Sequence, residues 1–345
     1  MHVVDADQAD AAVGLLAGLV ATAPSGCTVD AIVPAGAEVP VAGIGDVRTL
    51  GLGRRELAGS WQLGIAPGVG GGLIHSPTLM APLVRHDRVH DNDQTTITLW
   101  DLRAWDAPEQ LSKGVVAWQR GMLRRAVRHA DAVVVPSHAV AARLAELARL
   151  GDRIRVIAGA PPRDFAVPVD AVARREALSL PADYIVLTGS PTSLPEGFRA
   201  AAAAGVDAVV LDAGEGSEPR YAEAASAAGL PEHRAHVRST LSVADRGAVI
   251  AGARVFVATD PVAGWPWRAV EAMTAGIPIV AVDSSAHQDV IADGGRVVPV
   301  AEIPDAVEDA TGRDEDRLRV LASDRARAFS WESSAERVWS LHADL

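Results

Sequence analysis

The chain has 345 residues and a formal net charge of −12, and 49% of its residues are apolar. This length can hold two domains of ordinary size, and the apolar content excludes an intrinsically disordered chain. The acidic balance argues against general nucleic-acid binding. The single cysteine, Cys27, excludes an internal disulfide and a four-cysteine zinc site, as is usual in a reducing cytosol.

The first residues differ from those of a signal peptide or a membrane anchor. Asp5, Asp7 and Asp10 precede the first apolar run, whereas a signal peptide begins with basic residues. The apolar run itself, Ala11–Pro24, is shorter than the about 20 residues that cross a bilayer. We therefore expect a cytoplasmic protein that is at most peripheral to the inner face of the membrane.

Strand-like apolar runs alternate with helical patterns along the first 160 residues, which is typical of a parallel sheet with helices on both faces. The predicted strands are His2–Val4, Thr28–Val33, Leu73–Ile74, Thr95–Leu99, Ala132–Val135 and Arg153–Ile157. The predicted helices are Gln8–Ala21, Gln110–Ala130 and Ala139–Leu150. We expect residues 1–160 to form one domain.

The Pro- and Gly-rich stretch Gly159–Pro168 is typical of a linker, and a second alternating run follows it. The predicted strands are Tyr184–Thr188, Ala208–Leu211, Val255–Ala258, Pro278–Val282 and Arg296–Val298. The predicted helices are Ala171–Leu178, Glu196–Ala204, Arg220–Ala228, Val243–Ala251, Arg268–Ala275 and Arg317–Ala328. We expect a second domain over residues 161–329 and a final amphipathic helix over residues 330–345, with Ser330 as its N-cap.

Together the two halves predict an α/β protein with two doubly wound, Rossmann-like domains facing a cleft. Ligands of such sheets bind at the carboxyl ends of the strands, where His75 and Asp101 follow the third and fourth predicted strands. A loop histidine and a helix-capping aspartate explain these two residues equally well. Ser137 begins a helix after the fifth strand, so capping explains it fully and a phosphate contact is a further possibility.

An acidic residue stands out in the segment Pro266–Asp293. Glu271 lies in an otherwise apolar helix pattern, and Gly276 and a buried-strand run follow it directly. A carboxylate facing the end of a parallel strand can accept hydrogen bonds from ligand hydroxyls. A solvated glutamate near a helix amino terminus, stabilised by the helix dipole by ~0.3–1 kcal/mol, is an equally good explanation.

One tract combines several potential metal ligands: His86, Asp87, His90, Asp91 and Asp93. It lies in a predicted loop and lacks the helical i, i+4 spacing of many metal motifs. A polar surface loop is therefore favoured over a metal site, and a loop that faces the cleft stays open as an alternative. We expect neither a metal ion nor a cofactor.

Basic residues cluster in the predicted helix around Lys113–His129, with Arg120, Arg124 and Arg128 spaced at i, i+4 and i+8. Such a face can contact anionic lipid or a phosphorylated lipid acceptor. A solvated helix face is the favoured interpretation. Lys113 is the only lysine of the chain.

The segment GWPWRAVEAMTAGIPIVAVD resembles the carboxy-terminal motif E-G-F-G-L-P-x-x-E-A-M-A-x-G-x-P-V-V of bacterial, actinobacterial-type family 4 glycosyltransferases, which have the GT-B fold. Ala263 replaces the first Glu of that motif. The positions that match are Gly264, Glu271, Ala272, Met273, Gly276 and Pro278. Further segments resemble the family in the same order, namely Leu73–Leu83, Thr96–Glu109, Ala130–Leu144, Arg153–Pro161 and the closing DRARAFSWESSAERVWSLH.

The resemblance implies a nucleotide diphosphate-sugar donor bound to the carboxy-terminal domain, an acceptor entering from the other side, and transfer with retention, usually without a metal ion. It implies that the last helix crosses back onto the amino-terminal domain. It implies that Glu271 accepts donor ribose hydroxyls and that Asp101 and His75 line the acceptor side as catalytic residues. The donor-binding residues would be Glu271, Gly264, Arg268, Gly189 and Ser137.

This sequence departs from the family where an Arg–Lys pair normally holds the diphosphate. The corresponding stretch, GSPTSLPEGF at Gly189–Phe198, has no basic residue, and it contains Glu196. Where the family has a glycine-rich loop after the first strand, this sequence reads DADQADAAV, with no glycine before Gly14. Trp100 stands where the family has a His before Asp101. Each lost charge-assisted contact is worth about 1.5–3 kcal/mol.

An arginine could substitute for the lost pair, and three are candidates: Arg199, Arg238 and Arg268. Arg268, where the family has Pro, is the strongest of these, although a surface arginine explains it as well.

Two hypotheses follow. The first is a retaining hexosyltransferase that acts on a cell-surface glycan or a lipid-linked acceptor. The alternative is a catalytically degenerate GT-B protein that partners an active, paralogous glycosyltransferase or binds a glycan. Nucleic acid is not an expected partner of either.

Overall fold

A computed structural model of the protein describes residues 4–66, 68–86 and 93–345. The chain divides into two compact units. The first consists of Met1–Arg163, Ala263–Trp265 and Phe329–Leu345, and the second of Asp164–Val262 and Pro266–Ala328. The short segment Ala263–Trp265 therefore packs with the first unit, although it lies far along the chain, and the sequence did not indicate this.

The first unit has parallel strands and covering helices. Its elements are α1 (Ala6–Ala21), β1 (Ala31–Val33), β2 (Val47–Thr49), α2 (Arg54–Leu63), β3 (Leu73–Ser76), β4 (Gln94–Thr98), α3 (Arg103–Asp106), α4 (Lys113–His129), β5 (Ala132–Val135), α5 (His138–Leu147) and β6 (Ile154–Val156). Strands β1 and β2 pair in parallel, and β3, β4, β5 and β6 form a four-stranded parallel sheet in that order. Their apolar side chains pack around the buried Trp118 and Met122.

Three elements of this unit were not predicted, namely β2, α2 and the single-turn helix α3. The side chains of β2 are all exposed, so it lacks the alternation that marks a half-buried strand. Helix α2 contains Gly59 and Ser60 and has no side-chain cap, yet Leu57, Ala58 and Trp61 bury its inner face. Packing therefore stabilises a helix whose local signals are weak. The predicted strand His2–Val4 falls largely outside the described residues.

The second unit is a six-stranded parallel sheet between two helical layers. Its elements are α6 (Ala171–Ala177), β7 (Tyr184–Thr188), α7 (Pro195–Ala204), β8 (Asp207–Val210), α8 (Glu218–Ala227), β9 (Ala235–Val237), α9 (Val243–Ala251), β10 (Phe256–Ala258), α10 (Trp267–Thr274), β11 (Ile279–Val282), α11 (Ser285–Ile291), β12 (Arg296–Val298), α12 (Ile303–Ala310) and α13 (Glu315–Ala326). The strand order is β12-β11-β10-β7-β8-β9. Three short elements, β9, α11 and α12, were not predicted.

The final helix, α14 (Trp331–Asp344), packs against α1 within the first unit. Two glycines of α1 make this possible, because a Cβ at Gly14 or Gly18 would overlap Trp331. The indole nitrogens of Trp331 and Trp339 donate to the carbonyls of Pro161 and Leu19 at 2.8 and 3.2 Å. Among the described residues, no helix is both long enough and apolar enough to cross a membrane.

Candidate functional site

The second sheet has a topological switch point between β7 and β10. From β7 the chain continues to β8 and β9 on one side, whereas β10, β11 and β12 extend the sheet on the other. In open α/β sheets the crevice at the carboxyl ends of two such strands is the usual ligand site. The loops that begin at Gly189, after β7, and at Thr259, after β10, border this crevice.

Neutral and acidic groups tie these two loops together. Asp260 accepts from the backbone N–H of Ser190 at 2.7 Å, and the hydroxyls of Ser193 and Thr259 lie 3.0 Å apart. Gly189 has φ +154°, and a Cβ there would overlap Thr259 and Ser193, so only glycine fits. The predicted donor-binding Gly189 therefore lies at the switch point and lets the two loops approach each other closely.

Glu271 is buried and ion-paired, so the solvated glutamate considered from the sequence is not what the structure shows. Its side chain is 0% exposed. Arg246 of α9 donates from Nε to both carboxylate oxygens, at 3.0 and 2.8 Å, and from a terminal nitrogen to Oε1 at 2.8 Å. Arg268 donates to the same Oε1 at 2.9 Å. Two arginines thus satisfy a carboxylate that is expected to accept ribose hydroxyls.

Arg268 connects this buried pair to the crevice. It lies in the first turn of α10, is 12% exposed, and donates from Nε to Asp212 Oδ2 at 2.7 Å. Asp212 lies two residues beyond β8, is 46% exposed, and has a left-handed backbone with φ +57°. Because only a few non-glycine residues, mostly Asn and Asp, adopt that conformation, its backbone is unusual.

Tyr221 of α8 shows that these groups share one neighbourhood. Its hydroxyl donates to the carbonyl of Gly189 at 3.2 Å. Burial raises the pKa of Tyr221 above its ordinary value, the nearby charge of Asp260 raises it further, Arg220 lowers it, and Asp212 makes the smallest contribution, which raises it. Two carboxylates therefore lie near the crevice together with the guanidinium of Arg268.

The other two arginines considered as substitutes are engaged elsewhere. Arg199 forms an ion pair with Glu196 in its own helix. Arg238 follows the edge strand β9 and donates to the carbonyls of Val237 and Leu178 at 2.9 and 2.6 Å. Arg268 is the candidate of the three whose guanidinium pairs with both Asp212, just beyond β8, and the buried Glu271.

Gly264 and Asp101 meet inside the first unit. The two residues form an isolated antiparallel bridge, in which Leu102 N–H donates to Ala263 O at 2.8 Å and Trp265 N–H donates to Trp100 O at 3.1 Å. A Cβ at Gly264 would lie 2.5 Å from Trp100 O and would overlap Asp101. This close backbone approach by itself requires glycine at position 264.

The carboxylate of Asp101 is occupied by neighbouring groups. It accepts from Gln8 Nε2 at 3.0 Å, from the backbone N–H of Arg103 at 3.0 Å, and from the guanidinium of Arg103 at 2.9 Å. Arg103 also pairs with Asp5 at 2.5 Å. The carboxylate of Asp101 therefore contacts the first residue of α3 and pairs with its guanidinium, although Leu102 is the N-cap of that helix.

His75 belongs to a hydrogen-bonded network on β3 and β4. Its Nδ1 lies 2.8 Å from the hydroxyl of Thr96, and its Nε2 lies 3.0 Å from that of Thr98. His342 of α14 reaches the same Thr96 hydroxyl at 3.3 Å and Gln94 Oε1 at 2.9 Å. Burial, and secondarily His342, lowers the pKa of His75 to about 3. The ring is therefore neutral near pH 7 and both its nitrogens have partners, as in a structural histidine.

The remaining predicted site residues also have local structural roles. The hydroxyl of Ser137 caps α5 by accepting from Val140 N–H at 3.2 Å, and the residue is buried. Of the His/Asp tract, His86 lies 2.9 Å from Asp131, and Asp93 accepts from Gly72 N–H at 2.5 Å. Asp87, His90 and Asp91 lie outside the described residues. Within the described ranges, no three His, Cys, Asp or Glu side chains form a group that could hold a metal ion.

Some of the arginines on α4 form hydrogen bonds within the first unit. Arg120 donates to Ala104 O at 3.0 Å, and the neighbouring Arg125 donates to Leu83 O at 3.1 Å. Arg124 and Arg128 are exposed. A solvated face with internal anchors thus accounts for the pattern.

Three charged residues of the second unit, near its switch point or paired with Glu271, were not singled out from the sequence: Arg246, Asp212 and Asp260. A signal existed for Arg246 only, because an arginine inside the apolar pattern of Val243–Ala251 needs a buried partner. Asp212 and Asp260 follow strands directly and resemble ordinary loop aspartates.

Comparisons with known proteins agree with this architecture. Residues 182–313 match the family described as Glycosyl transferases group 1. Among solved structures, the chain is similar to sucrose-phosphate synthase from Thermosynechococcus elongatus, with 20% identity over 96% of this chain and 91% of that one and a TM-score of 0.65. It is also similar to HepE of Anabaena in complex with UDP and glucose (20% identity, 73% and 72% of the two chains, TM-score 0.57). A third is WaaG, a glycosyltransferase involved in lipopolysaccharide biosynthesis (15% identity, 73% and 78%, TM-score 0.52).

A search of curated proteins finds no match. The solved structures confirm the predicted α/β class with Rossmann-like domains. The second unit thus carries a domain similar to those of group 1 glycosyltransferases, and the chain has an α/β fold of the GT-B type.

Proposed function

We propose that this protein is a glycosyltransferase that binds a nucleotide diphosphate-sugar in its second unit. The observation that carries the proposal is the family match over residues 182–313, which contains all six strands of the second sheet and its switch point between β7 and β10. The structure of HepE with UDP and glucose supports a nucleotide-sugar as the ligand class. In detail we propose a family 4 enzyme of the actinobacterial type that transfers a hexosyl group with retention to a cell-surface glycan or a lipid-linked acceptor.

The chemistry of such a transfer centres on the leaving nucleoside diphosphate. As the bond to the sugar breaks, negative charge develops on the diphosphate, and groups fixed in advance must stabilise it. We propose that Arg268, whose guanidinium pairs with Asp212 just beyond β8, provides this stabilisation, and the hydroxyls of Ser190 and Ser193 border the same crevice. We propose that no metal ion takes part, and that the protein works in the cytoplasm or at the inner face of the membrane.

A second candidate function is favoured by the state of Glu271. This carboxylate is 0% exposed and paired with two arginines, so it is not available to ribose hydroxyls as it stands. Asp212 and Asp260 add negative charge near the crevice, where a diphosphate would be repelled. On this alternative the protein is catalytically degenerate and acts as a partner of an active, paralogous glycosyltransferase or as a glycan-binding module.

Thermal unfolding with UDP-, GDP- and dTDP-sugars, combined with an assay for release of the free nucleotide, separates the two candidates. A donor at 100 times its dissociation constant should stabilise the protein by ~2.7 kcal/mol. Stabilisation together with nucleotide release supports the enzyme. Stabilisation without release, including in the presence of glycan and glycolipid acceptors, supports the degenerate protein. Neither stabilisation nor release by any donor contradicts the proposed enzyme.

A further inference from the structure

Four charged side chains form one connected chain from the core of the second unit to its surface. Arg246 forms an ion pair with Glu271, Glu271 pairs with Arg268 as well, and Arg268 also pairs with Asp212. The exposed fraction rises along this order from 7% and 0% at the buried pair to 12% at Arg268 and 46% at Asp212. One end is therefore fixed in the core, and the other can reorganise in solvent.

The buried end does not depend on Arg268. Arg246 alone gives Glu271 three hydrogen bonds of 2.8 to 3.0 Å, from Nε to both oxygens and from a terminal nitrogen to one. Glu271 consequently keeps a charge partner if Arg268 changes its contacts, and the cost of an unpaired buried carboxylate does not arise.

The exposed end can exchange its anion. Asp212 regains hydration when its carboxylate turns to solvent, since nearly half of its side chain is already exposed. The four groups sum to zero charge, so withdrawal of Asp212 leaves one net positive charge on the other three. That charge resides on Arg268, whose planar guanidinium is suited to bidentate contact with a phosphate.

We propose that Arg268 is the cation that binds the donor's diphosphate and that Asp212 is an internal competitor that occupies Arg268 while the site is empty. This inference rests on the proposed binding of a nucleotide diphosphate-sugar. Arg268 would take the role of the basic pair that is missing from the Gly189–Phe198 stretch, and it would stay paired with Asp212 until a donor binds. Donor affinity is then set by the competition between Asp212 and the diphosphate.

Asp212→Asn is a clean perturbation of this competition. Asparagine has the same shape as aspartate and tolerates the left-handed backbone at position 212, so the fold is preserved while the charge is removed. Arg268→Gln removes the proposed phosphate ligand and leaves Glu271 bound to Arg246. The exposed Arg327, which pairs with Asp324 on α13's carboxyl end, supplies the control Arg327→Gln.

The experiment is isothermal titration of the full chain with UDP, GDP and dTDP at one fixed salt concentration. We expect Asp212→Asn to bind the preferred nucleotide about tenfold more tightly, a change of ~1.4 kcal/mol. Arg268→Gln should bind it at least tenfold more weakly, and Arg327→Gln should equal the wild type. The double variant Asp212→Asn/Arg268→Gln should bind no more tightly than Arg268→Gln, because it lacks the arginine for which Asp212 and the diphosphate compete.

Two results would overturn the inference while leaving nucleotide binding intact. One is equal affinity of the wild type, Asp212→Asn and Arg268→Gln. The other is a gain from Asp212→Asn that persists in the double variant, since it would show general repulsion instead of competition for Arg268. Failure of all five proteins to bind any of the three nucleotides is a different pattern, and it would refute the proposed function together with this inference.

Discussion

Replacing Arg246 with leucine tests the ion-pair network on which the candidate site is built. The substitution removes three hydrogen bonds from a carboxylate that is 0% exposed, while the contact with Arg268 at 2.9 Å is retained. Breaking a buried pair by removing one partner costs about 3–5 kcal/mol. Because Arg268 still neutralises part of the charge, we expect a loss of about 3 kcal/mol in the free energy of unfolding.

The double variant Arg246→Leu/Glu271→Leu provides the matched comparison. Replacing both members of a buried ion pair by apolar residues of similar volume is often nearly neutral. We therefore expect the double variant to recover most of the loss, to within about 1 kcal/mol of the wild type. A coupling of this kind is the signature of a direct interaction in a double-mutant cycle.

Urea unfolding followed by circular dichroism gives the overall stability of each variant. Since the chain has two compact units, unfolding need not be two-state, and hydrogen exchange of the amides in α9 and α10 supplies the local measure. The reasoning is refuted if Arg246→Leu costs less than about 1 kcal/mol, or if the double variant is as unstable as the sum of the two single variants.

Three further predictions concern the first unit and the histidines. Gly264→Ala should lower the thermal unfolding temperature, because the added Cβ would overlap Asp101. The control is Gly59→Ala in α2, where no atom lies within 4 Å of the added Cβ, and it should be neutral or stabilising by up to about 1 kcal/mol. Equal effects of the two substitutions would contradict the geometry of the bridge between Asp101 and Gly264. Gly14→Ala should loosen α14, seen as faster proteolysis of the carboxy-terminal segment, and unchanged cleavage would argue against this packing. The free energy of unfolding should fall as pH drops from 6.5 towards 3. His75 takes up a proton in the unfolded chain over this range, but in the folded protein its pKa is lowered to about 3 and it stays neutral. Burial also lowers the pKa values of His287 and His342, so they act in the same direction. The slope is at most about 1.4 kcal/mol per pH unit for each histidine, and urea midpoints at pH 7.5 and 5.5 measure it. His75→Gln should reduce the slope, and an unaltered slope would contradict a His75 that stays neutral in the folded protein.

Local patterns predicted the regular elements of the second sheet well. The strands Tyr184–Thr188 and Arg296–Val298 and the helix Val243–Ala251 have the predicted bounds. Tyr184–Thr188 is a nearly continuous apolar run and is buried over its first four residues, whereas Arg296–Val298 is mostly half-buried. Helix α12 was missed because it is only eight residues long and has Pro304 in its first turn, and β9 was missed because its three residues include a histidine.

The candidate site was less predictable because it depends on contacts between distant parts of the chain. The sequence singled out Glu271 as an unusual acid in an apolar pattern, but its partner Arg246 lies 25 residues upstream on another helix. Gly264 was matched to a ligand-binding motif, whereas its position against Trp100 and Asp101 gives a purely steric reason for glycine. Periodicity reports which face of an element is buried and does not report which charged groups pair across elements.

The location of a bound nucleoside diphosphate tests the account most directly. Crystals of the protein grown with UDP, GDP or dTDP, whichever binds, would show where the phosphates lie. We predict that they occupy the crevice at the carboxyl ends of β7 and β10, with a phosphate oxygen within hydrogen-bonding distance of the Arg268 guanidinium and Asp212 turned towards solvent. A nucleotide bound in another part of the molecule, or phosphates in this crevice with Arg268 still paired to Asp212, would contradict it.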